Sequence, residues 1–369
     1  MKLKHCSVFV VIVLGLLSCI RSEEPNAEAD ITACRIEEKD ILNTEPIINN
    51  EEIDNYSVSF FVKKGADLTK ITPHFELTPG ATIEPESGVT QNFTEEINYI
   101  VTSEDRKWKK HYTVKVIQSE LPTSYSFEQV TGKGKYDVFV EKHQGNIIMS
   151  WASGNPGFSI TGVAESRLDY PTIQSEKGYK GNCAKLTTLS TGKFGGDVGM
   201  PIAAGNLFLG RFDLLSAIVN PLKATQFGLP FNMLPKTFSG YYKYKRGEDF
   251  YEKGELVKDR IDTGDIYAIF YETDDDTKTL DGSNSLTHPN LIARARIDKT
   301  IVSDKWIKFE LPFTYDKNKT INAEKLKNGG YKLGIVFTSS IDGASFNGAI
   351  GSTLWIDEVE ITYELNPEI

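Results

Sequence analysis

The stretch Leu354-Trp-Ile-Asp-Glu-Val-Glu-Ile-Thr-Tyr363 alternates apolar and polar residues over most of its length. Successive side chains of a β-strand point to opposite faces of a sheet, so this period of two predicts a strand with one face in a core. Shorter runs of the same kind lie upstream, for example Tyr267-Ala-Ile-Phe-Tyr271 and Ile307-Lys-Phe-Glu-Leu311. Ile321–Leu326 could form one or two helical turns at most. The sequence therefore predicts an all-β protein whose larger part, about 240 residues of short strands and long polar loops, is one jelly-roll β-sandwich.

The part of the chain before this region also contains short runs of alternating apolar and polar residues. Alternating runs, separated by Pro-Gly and Ser-Gly turn formers, are found at Tyr56–Val62, Asn98–Thr102 and Tyr112–Ile117. Turn signals about every ten residues are typical of a β-sandwich, and roughly ninety residues is the size of one immunoglobulin-like domain. We therefore expect an immunoglobulin-like domain over residues 31–118 and the jelly roll over residues 122–369. The boundary is placed at Ser119–Pro122 because a proline follows the last strand of the first domain.

The N-terminal segment has the three parts of a secretory signal. Two lysines precede an apolar run over residues 8–17, and a small residue, Ser18, stands at the exit. The apolar run is too short to span a bilayer as an anchor. We expect residues 1–18 to be removed, and residues 19–30, which are polar and lack hydrophobic periodicity, to form a tether.

The exit of this segment, Leu16-Leu17-Ser18-Cys19, resembles the lipobox of bacterial lipoproteins. The resemblance implies that Cys19 is acylated, for instance with palmitate, and becomes the mature N-terminus. The alternative is an ordinary secretory cut beside an incidental cysteine. Ile20, rather than Asp, follows the cysteine and so argues against inner-membrane retention, and Ser22-Glu23-Glu24 resembles an acidic tag for surface export. We expect a lipid-anchored outer-membrane protein at the cell surface.

The charge of the chain argues against nucleic acid as a partner. The chain has 51 acidic and 41 basic residues and a formal net charge of −10 at pH 7, with no basic stripe, so nucleic acid is a poor candidate. The lipid is the only membrane contact that we expect.

The remaining cysteines are not expected to pair. Cys6 would leave with the signal peptide, while Cys34 and Cys183 are far apart in sequence. We expect both to be small buried hydrophobes.

Several strings in the second half resemble the putative carbohydrate metabolism domain family of bacterial surface lipoproteins. They are Phe238-Ser-Gly-Tyr-Tyr-Lys-Tyr244, Leu280-Asp-Gly282 with Ile292-Ala-Arg-Ala295, Trp306–Phe313, Ile335–Ser340 with Asp342-Gly343, and Gly348–Glu360. The resemblance covers residues 122–365 and implies a jelly roll and a glycan context without an established reaction. The order of the strings Lys64–Ile71, Pro73–Leu77, Ala81–Gly88, Tyr99–Asp105 and Tyr112–Val116 resembles the immunoglobulin-like modules, mainly spacers, of surface glycan-handling lipoproteins.

A looser resemblance is to carbohydrate-binding modules of the galactose-binding-like sandwich. It rests on Phe127-Glu128, Gly181-Asn-Cys-Ala-Lys-Leu186 and Asp357-Glu358. In such modules, acidic side chains from the first and last strands bind a structural calcium ion, which prefers carboxylate and carbonyl oxygens. The resemblance therefore implies a calcium ion held by some of Glu128 and Asp357. The alternative is that Asp357 caps a backbone turn beside the last strand.

No string in the chain resembles a catalytic site. Glycoside hydrolysis needs two facing carboxyl groups, and no pair stands out among the many acids. Asp274-Asp-Asp276 with Asp281-Gly282 does not match an EF-hand and predicts a solvated loop, and Gly192-Lys-Phe-Gly-Gly196 predicts a loop without phosphate-binding features. We assign no catalytic residue.

Aromatic residues near loops are the remaining candidates for a binding site. Sugar rings stack on Trp and Tyr while amides and charged groups bind their hydroxyls. The candidates are Trp151 and Asn155, where a strand becomes a loop, and Tyr242, Tyr244 and Tyr251 in and after the Tyr241–Arg246 run. The alternative for each is packing between sheets. Trp306 and Trp355 lie inside alternating strands and are expected in the core.

The favoured function is therefore a surface lipoprotein that binds a glycan or saccharide through its jelly roll. One alternative is a glycoside hydrolase-like enzyme on the same fold. The other is a structural or adhesive surface component that binds a protein partner.

Overall fold

The computed structural model describes residues 25–38, 41–42, 46–50, 56–62, 66–118, 120–131, 134–143 and 146–364. The predicted signal peptide, Cys19 and the first part of the tether lie outside these residues. Strands account for 46% of the structure and helices for 10%, which confirms the all-β prediction. None of the described helices is long and apolar enough to cross a membrane.

The N-terminal part forms two small sheets around its own core. The strands are β1 (Ile31–Ile36), β2 (Ile47–Asn49), β3 (Tyr56–Val62), β4 (Pro73–Leu77), β5 (Thr82–Glu84), β6 (Ile97–Thr102) and β7 (Lys109–Gln118). Five of them pair in the order β2-β3-β7-β6-β5, in which β3 and β7 are parallel, and β1 pairs with β4. The alternating apolar side chains of these strands, such as Val58, Phe60, Val101 and Val114, fill the core between the sheets.

The C-terminal part contains the remaining strands. They are β8 (Ser124–Tyr125), β9 (Val140–His143), β10 (Asn146–Ser150), β11 (Thr172–Ser175), β12 (Cys183–Thr187), β13 (Leu189–Ser190), β14 (Ile202–Ala203), β15 (Asn206–Phe208), β16 (Gly210–Phe212), β17 (Thr225–Phe227), β18 (Leu229–Pro230), β19 (Leu234–Lys245), β20 (Phe250–Glu252), β21 (Glu255–Leu256), β22 (Asp265–Glu272), β23 (Leu280–Asp281), β24 (Leu291–Arg296), β25 (Ser303–Pro312), β26 (Thr314–Tyr315), β27 (Tyr331–Thr338), β28 (Gly348–Ala349) and β29 (Thr353–Glu364).

The helices of this part are short. They are α1 (Asn155–Ser159), α2 (Gly192–Asp197), α3 (Leu214–Val219) and α4 (Ala323–Lys327), with 3-10 turns at Arg167–Asp169, Pro221–Lys223 and Gly343–Ser345. The stretch predicted as a glycine-rich loop, residues 192–196, is the helix α2, which is a correction to the sequence-based expectation. The Asp274–Asp276 stretch is exposed in a loop, as expected.

Two antiparallel sheets form the C-terminal sandwich. The first sheet has the order β11-β12-β29-β19-β25, with β8 beside β29, so the strand after the predicted boundary pairs with the last strand of the chain. The second sheet has the order β15-β27-β22-β24-β26, with β18 beside β27. Their facing side chains form one large core that includes Phe238, Tyr242, Phe270, Phe337 and Ile356.

The second sheet carries a further apolar layer on its other face. Tyr267, Ile269 and Tyr271 alternate with the core residues of β22 and therefore point away from the first sheet. They form a separate cluster with Phe208 and Phe227. The helices α1, α2 and α3 lie on this side, whereas the outer face of the first sheet carries no such layer among the described residues. The sandwich thus has one covered face and one open face.

Candidate functional site

The structure places Trp151 and Asn155 in the interior. Trp151 is buried, its ring meets Tyr125 edge to face at 4.9 Å, and its Nε1 donates to Oε1 of Glu141 at 3.3 Å. Asn155 is also buried, where its Nδ2 donates to the carbonyl oxygen of Thr172 at 2.7 Å and its Oδ1 accepts the Thr172 amide at 3.1 Å. Both side chains are buried and have structural partners, so they offer almost no surface to a sugar, contrary to the expectation.

Tyr242 and Tyr244, the two predicted tyrosines of β19, are also buried in the core and hydrogen-bonded to the backbone. The Tyr242 hydroxyl accepts the Ile301 amide at 3.2 Å, and the Tyr244 hydroxyl donates to the Ser339 carbonyl at 3.1 Å. Burial raises the pKa of Tyr244 well above its ordinary value. Tyr251 alone of the five predicted residues is half-buried, on the short strand β20. The structure does not bring these five residues together in one site.

The open face of the first sheet carries instead a cluster that we name the aromatic platform: Tyr179, Tyr241, Lys243, Trp306 and Trp355. Tyr179 stacks on Tyr241 with ring centroids 3.7 Å apart and planes 9° apart, and 50% of Tyr179 is exposed. Trp306 meets Tyr179 edge to face at 6.3 Å. The platform spans strands β19, β25 and β29 and the loop between β11 and β12.

A lysine occupies the centre of this platform. Lys243 Nζ lies 4.7 Å from the ring centroid of Trp306 and 5.3 Å from that of Trp355, within the range of cation–π contacts. In β19, Lys243 is directly opposite Trp355 of β29, so the two side chains share a face. Within the described residues no carboxylate forms a salt bridge with Lys243. Its ammonium group is therefore held by two indoles and remains able to donate to a ligand.

Acidic and basic groups border the platform. Lys308, directly opposite Tyr241 in the sheet, forms a salt bridge with Glu310 at 2.7 Å, and this contact raises the pKa of Lys308. Lys180 Nζ lies 4.0 Å from Oε2 of Glu358. Aromatic faces surrounded by hydrogen-bonding groups can stack on a sugar ring and bind its hydroxyls.

Sequence reasoning missed this platform because it assigned the wrong face to each strand. Trp306 and Trp355 were expected in the core, yet both are half-buried on the open face. The signal was present in β19, where lysines at 243 and 245 alternate with the tyrosines at 242 and 244. Because an unpaired lysine is rarely buried, residues 241, 243 and 245 had to point outward.

The predicted calcium ligands lie at the edge of the platform. Asp357 Oδ2 accepts the Lys180 amide at 2.9 Å and Oδ1 accepts the Glu358 amide at 2.8 Å. Both oxygens of Glu128 accept donors of Asn182, its amide at 3.0 Å and its Nδ2 at 2.9 Å. Burial raises the pKa of Asp357 to about 6 although these hydrogen bonds lower it.

These contacts do not fit a calcium site. Each of these carboxylate oxygens accepts a hydrogen bond from an N–H donor, and no group of three or more His, Cys, Asp or Glu side chains is gathered for a metal in the described part of the chain. Asp357 and Glu128 instead hold the loop that carries Tyr179. This agrees with the alternative in which Asp357 caps a backbone turn.

A cavity of about 500 Å³ lies on the covered face, between the second sheet and the short helices. Its floor includes Phe208, Tyr267 and Val336, and its single lining carboxylate among the described residues is Asp265. Arg296 binds Asp265 through Nε at 3.1 Å and Nη2 at 2.7 Å. Burial raises the pKa of Asp265 against the opposing effect of Arg296. The lining thus offers no facing pair of carboxyl groups for the two-carboxylate hydrolysis of glycosides.

Two family models match this chain. The sequence model of the putative carbohydrate metabolism domain family matches residues 126–362, and that of the family described as SGBP, N-terminal, matches residues 36–116. No curated protein matches the chain.

Two solved structures are similar over long stretches. A putative glycoside hydrolase from Bacteroides thetaiotaomicron is 52% identical, with a TM-score of 0.82, over 93% of this chain and 99% of that one. A putative glycoside hydrolase from Bacteroides vulgatus is 45% identical, with a TM-score of 0.63, over 67% of this chain and 100% of that one. TmCBM61 in complex with beta-1,4-galactotriose aligns with 8% identity and a TM-score of 0.24, over 53% of this chain and 83% of that one, a likeness too low to carry an argument.

Proposed function

Because this chain belongs to the putative carbohydrate metabolism domain family, we propose that it binds carbohydrate on the aromatic platform of its first sheet. The observation that carries this proposal is the half-exposed Tyr179 stacked on Tyr241 beside Trp306. The C–H faces of a sugar ring would pack on these rings, while Lys243 and the border groups would bind hydroxyls. An extended open face suits a polymer that crosses the sheet better than it suits a small enclosed ligand.

The proposed setting is the cell surface, with the protein anchored by a lipid on Cys19. Its support is the lipobox-like sequence together with the match of residues 36–116 to the SGBP N-terminal family. In this arrangement the N-terminal sandwich is a spacer that carries the platform away from the membrane. Radiolabelled palmitate should label the wild-type protein and not Cys19→Ser, and labelling of both would remove the anchor from the proposal.

The binding proposal is tested with a glycan array and isothermal titration of the best glycan, using residues 20–369 and the variants Tyr179→Ala and Trp306→Ala. Loss of one stacking ring should lower the affinity about tenfold, which corresponds to about 1.4 kcal/mol. Trp108→Ala is the matched control, since Trp108 is 62% exposed in the N-terminal sandwich, away from the platform.

The two results are readily distinguished. Affinity that falls in both platform variants and is unchanged in Trp108→Ala supports the proposal. Unchanged affinity in Tyr179→Ala and Trp306→Ala would place the glycan elsewhere. If the protein bound no glycan on a diverse array, the result would favour the alternative in which it binds a protein partner.

A glycoside hydrolase is the second candidate because the Bacteroides thetaiotaomicron structure, described in those terms, is 52% identical. The cavity lining of this chain has Asp265 as its carboxylate, and Arg296 holds it in a bidentate ion pair. Capture without cleavage is our proposal, and incubation of the bound glycan with the protein should release no shorter sugars.

A further inference from the structure

The cavity on the covered face has a different chemistry from the platform. Aromatic rings dominate its walls, and they are those of Phe158, Phe194, Phe208, Phe212, Phe227, Tyr267 and Phe346. Glycine and alanine residues, including Ala217 and Ala344, leave the space between these rings open. A volume of about 500 Å³ lies within the range of small-molecule sites.

The polar side chains of the lining are mostly engaged with the protein. The Thr191 hydroxyl donates to the Met200 carbonyl, Thr338 Oγ1 donates to the Ser340 carbonyl at 3.0 Å, and Ser340 Oγ donates to buried Asp262 at 2.5 Å. A sugar ring with several hydroxyls would lose its hydrogen bonds to water here and gain few in return, at a cost of about 1–3 kcal/mol for each unpaired group. The cavity is therefore poorly suited to a saccharide.

The entrance of the cavity continues its apolar surface into solvent. Ile160, Phe194, Val198 and Ile341 line the cavity and are also exposed, with 55% of Phe194 accessible. Exposed apolar side chains at the edge of a cavity are typical of ligand-binding grooves and other apolar contact sites. A lining that includes both buried Phe208 and exposed Phe194 suits an extended chain better than a compact ring.

Arg296 supplies a charged hydrogen-bond donor in the lining. Arg296 uses Nε and Nη2 to bind Asp265, and among the described residues no acceptor contacts its Nη1. Because Asp265 already neutralises the guanidinium, a neutral oxygen acceptor suits this position better than a second carboxylate, which Asp265 would repel.

We propose that this cavity binds a neutral aliphatic molecule with one oxygen acceptor, such as a fatty alcohol or a fatty ester. The chain lies along the aromatic walls, and its oxygen accepts a hydrogen bond from Arg296. The site is on the opposite face of the sandwich from the platform, so it does not depend on the carbohydrate proposal.

The test uses the neutral fluorescent probe N-phenyl-1-naphthylamine with residues 20–369. We expect saturable fluorescence that decanol and methyl decanoate displace, that decanoate displaces only at more than tenfold higher concentration, and that cellobiose does not displace. Ala217→Trp and Ala344→Trp, which fill the cavity from two different elements, should each weaken probe binding more than tenfold.

Leu215→Trp is the matched control, because Leu215 is on the same helix as Ala217, is 78% exposed and does not line the cavity. It should bind the probe as the wild type does, and circular dichroism establishes that each variant is folded. Three results would overturn the proposal: no saturable signal, displacement by decanoate as strong as by decanol, or equal effects of Leu215→Trp and the two cavity-filling variants. If one cavity-filling variant does not fold, the other decides the outcome.

Discussion

At the scale of single residues, Glu141 is a carboxyl group whose ionisation opposes folding. Burial raises its pKa from 4.5 to about 7, and the hydrogen bond from Trp151 only partly offsets this. Below pH 4.5 the side chain is protonated in both the folded and the unfolded protein. Between pH 4.5 and 7 the unfolded chain loses the proton while the folded protein keeps it, so stability falls as pH rises through this window. The loss is at most about 3 kcal/mol.

Glu141→Gln should remove this pH dependence, since glutamine keeps an oxygen acceptor for Trp151 and cannot ionise. We expect the variant to match the wild type at pH 4 and to melt higher at pH 8, by about 2–4 °C for each kcal/mol gained. Thermal melts at both pH values measure this. Glu310→Gln is the control, because Glu310 is exposed and its pKa is lowered by Lys308. A Glu141→Gln variant less stable than the wild type at pH 8 would show that the ionised carboxylate helps the fold.

At the scale of elements, the loop between β11 and β12 positions part of the platform. Asp357 accepts the backbone amides of Lys180 and Glu358, and Tyr179 is the neighbour of Lys180 in this loop. Asp357→Ala leaves these part-buried donors without their acceptor, at a cost of about 1 kcal/mol for each. We expect a lower melting temperature and weaker glycan binding, although Tyr179 is unchanged.

The same loop distinguishes hydrogen bonding from metal binding. Melting temperatures of the wild type should be equal in EDTA and in calcium chloride, because the carboxylates already bind N–H donors. If EDTA lowered the wild-type melting temperature and calcium restored it, a cation would hold the loop and our assignment would be incorrect.

The sequence predicts where the strands lie better than it predicts which face of each strand is buried. The alternation in residues 238–245 fixes which side chains share a face but not which face is buried. That choice depends on the partner strands, where Lys243 meets Trp355 and Tyr242 meets Ile356. The helix α2 was missed because glycine has a low helix propensity, and tertiary contacts form the helix instead.

The cavity could not be predicted from local patterns. Its walls come from α1, α2, α3 and four strands of the second sheet, so residues as distant as Phe158 and Phe346 meet there. Each of these residues, taken alone in the sequence, looks like ordinary core. Only the fold distinguishes a cavity wall from a packed interior.

At the scale of the whole molecule, the main hydrophobic core of the N-terminal part is separate from that of the C-terminal part. One extends from Ala29 to Val116 and the other from Leu121 to Ile361, on either side of the predicted boundary at residues 119–122. Separate cores can unfold independently when few contacts connect them. We propose that the N-terminal and C-terminal sandwiches are independent folding units.

Two matched substitutions test this independence. Phe60 belongs to the first core and Phe337 to the second, and both are fully buried. Truncation of either to alanine should destabilise its own sandwich by about 3–5 kcal/mol. Calorimetry should therefore show two transitions, of which Phe60→Ala lowers the temperature of one and Phe337→Ala that of the other.

At temperatures between the two transitions of Phe60→Ala, glycan binding should persist, because the platform belongs to the sandwich that is still folded. A single transition that both variants lower equally would mean that the two cores fold as one unit, and the spacer would then contribute to the stability of the binding face.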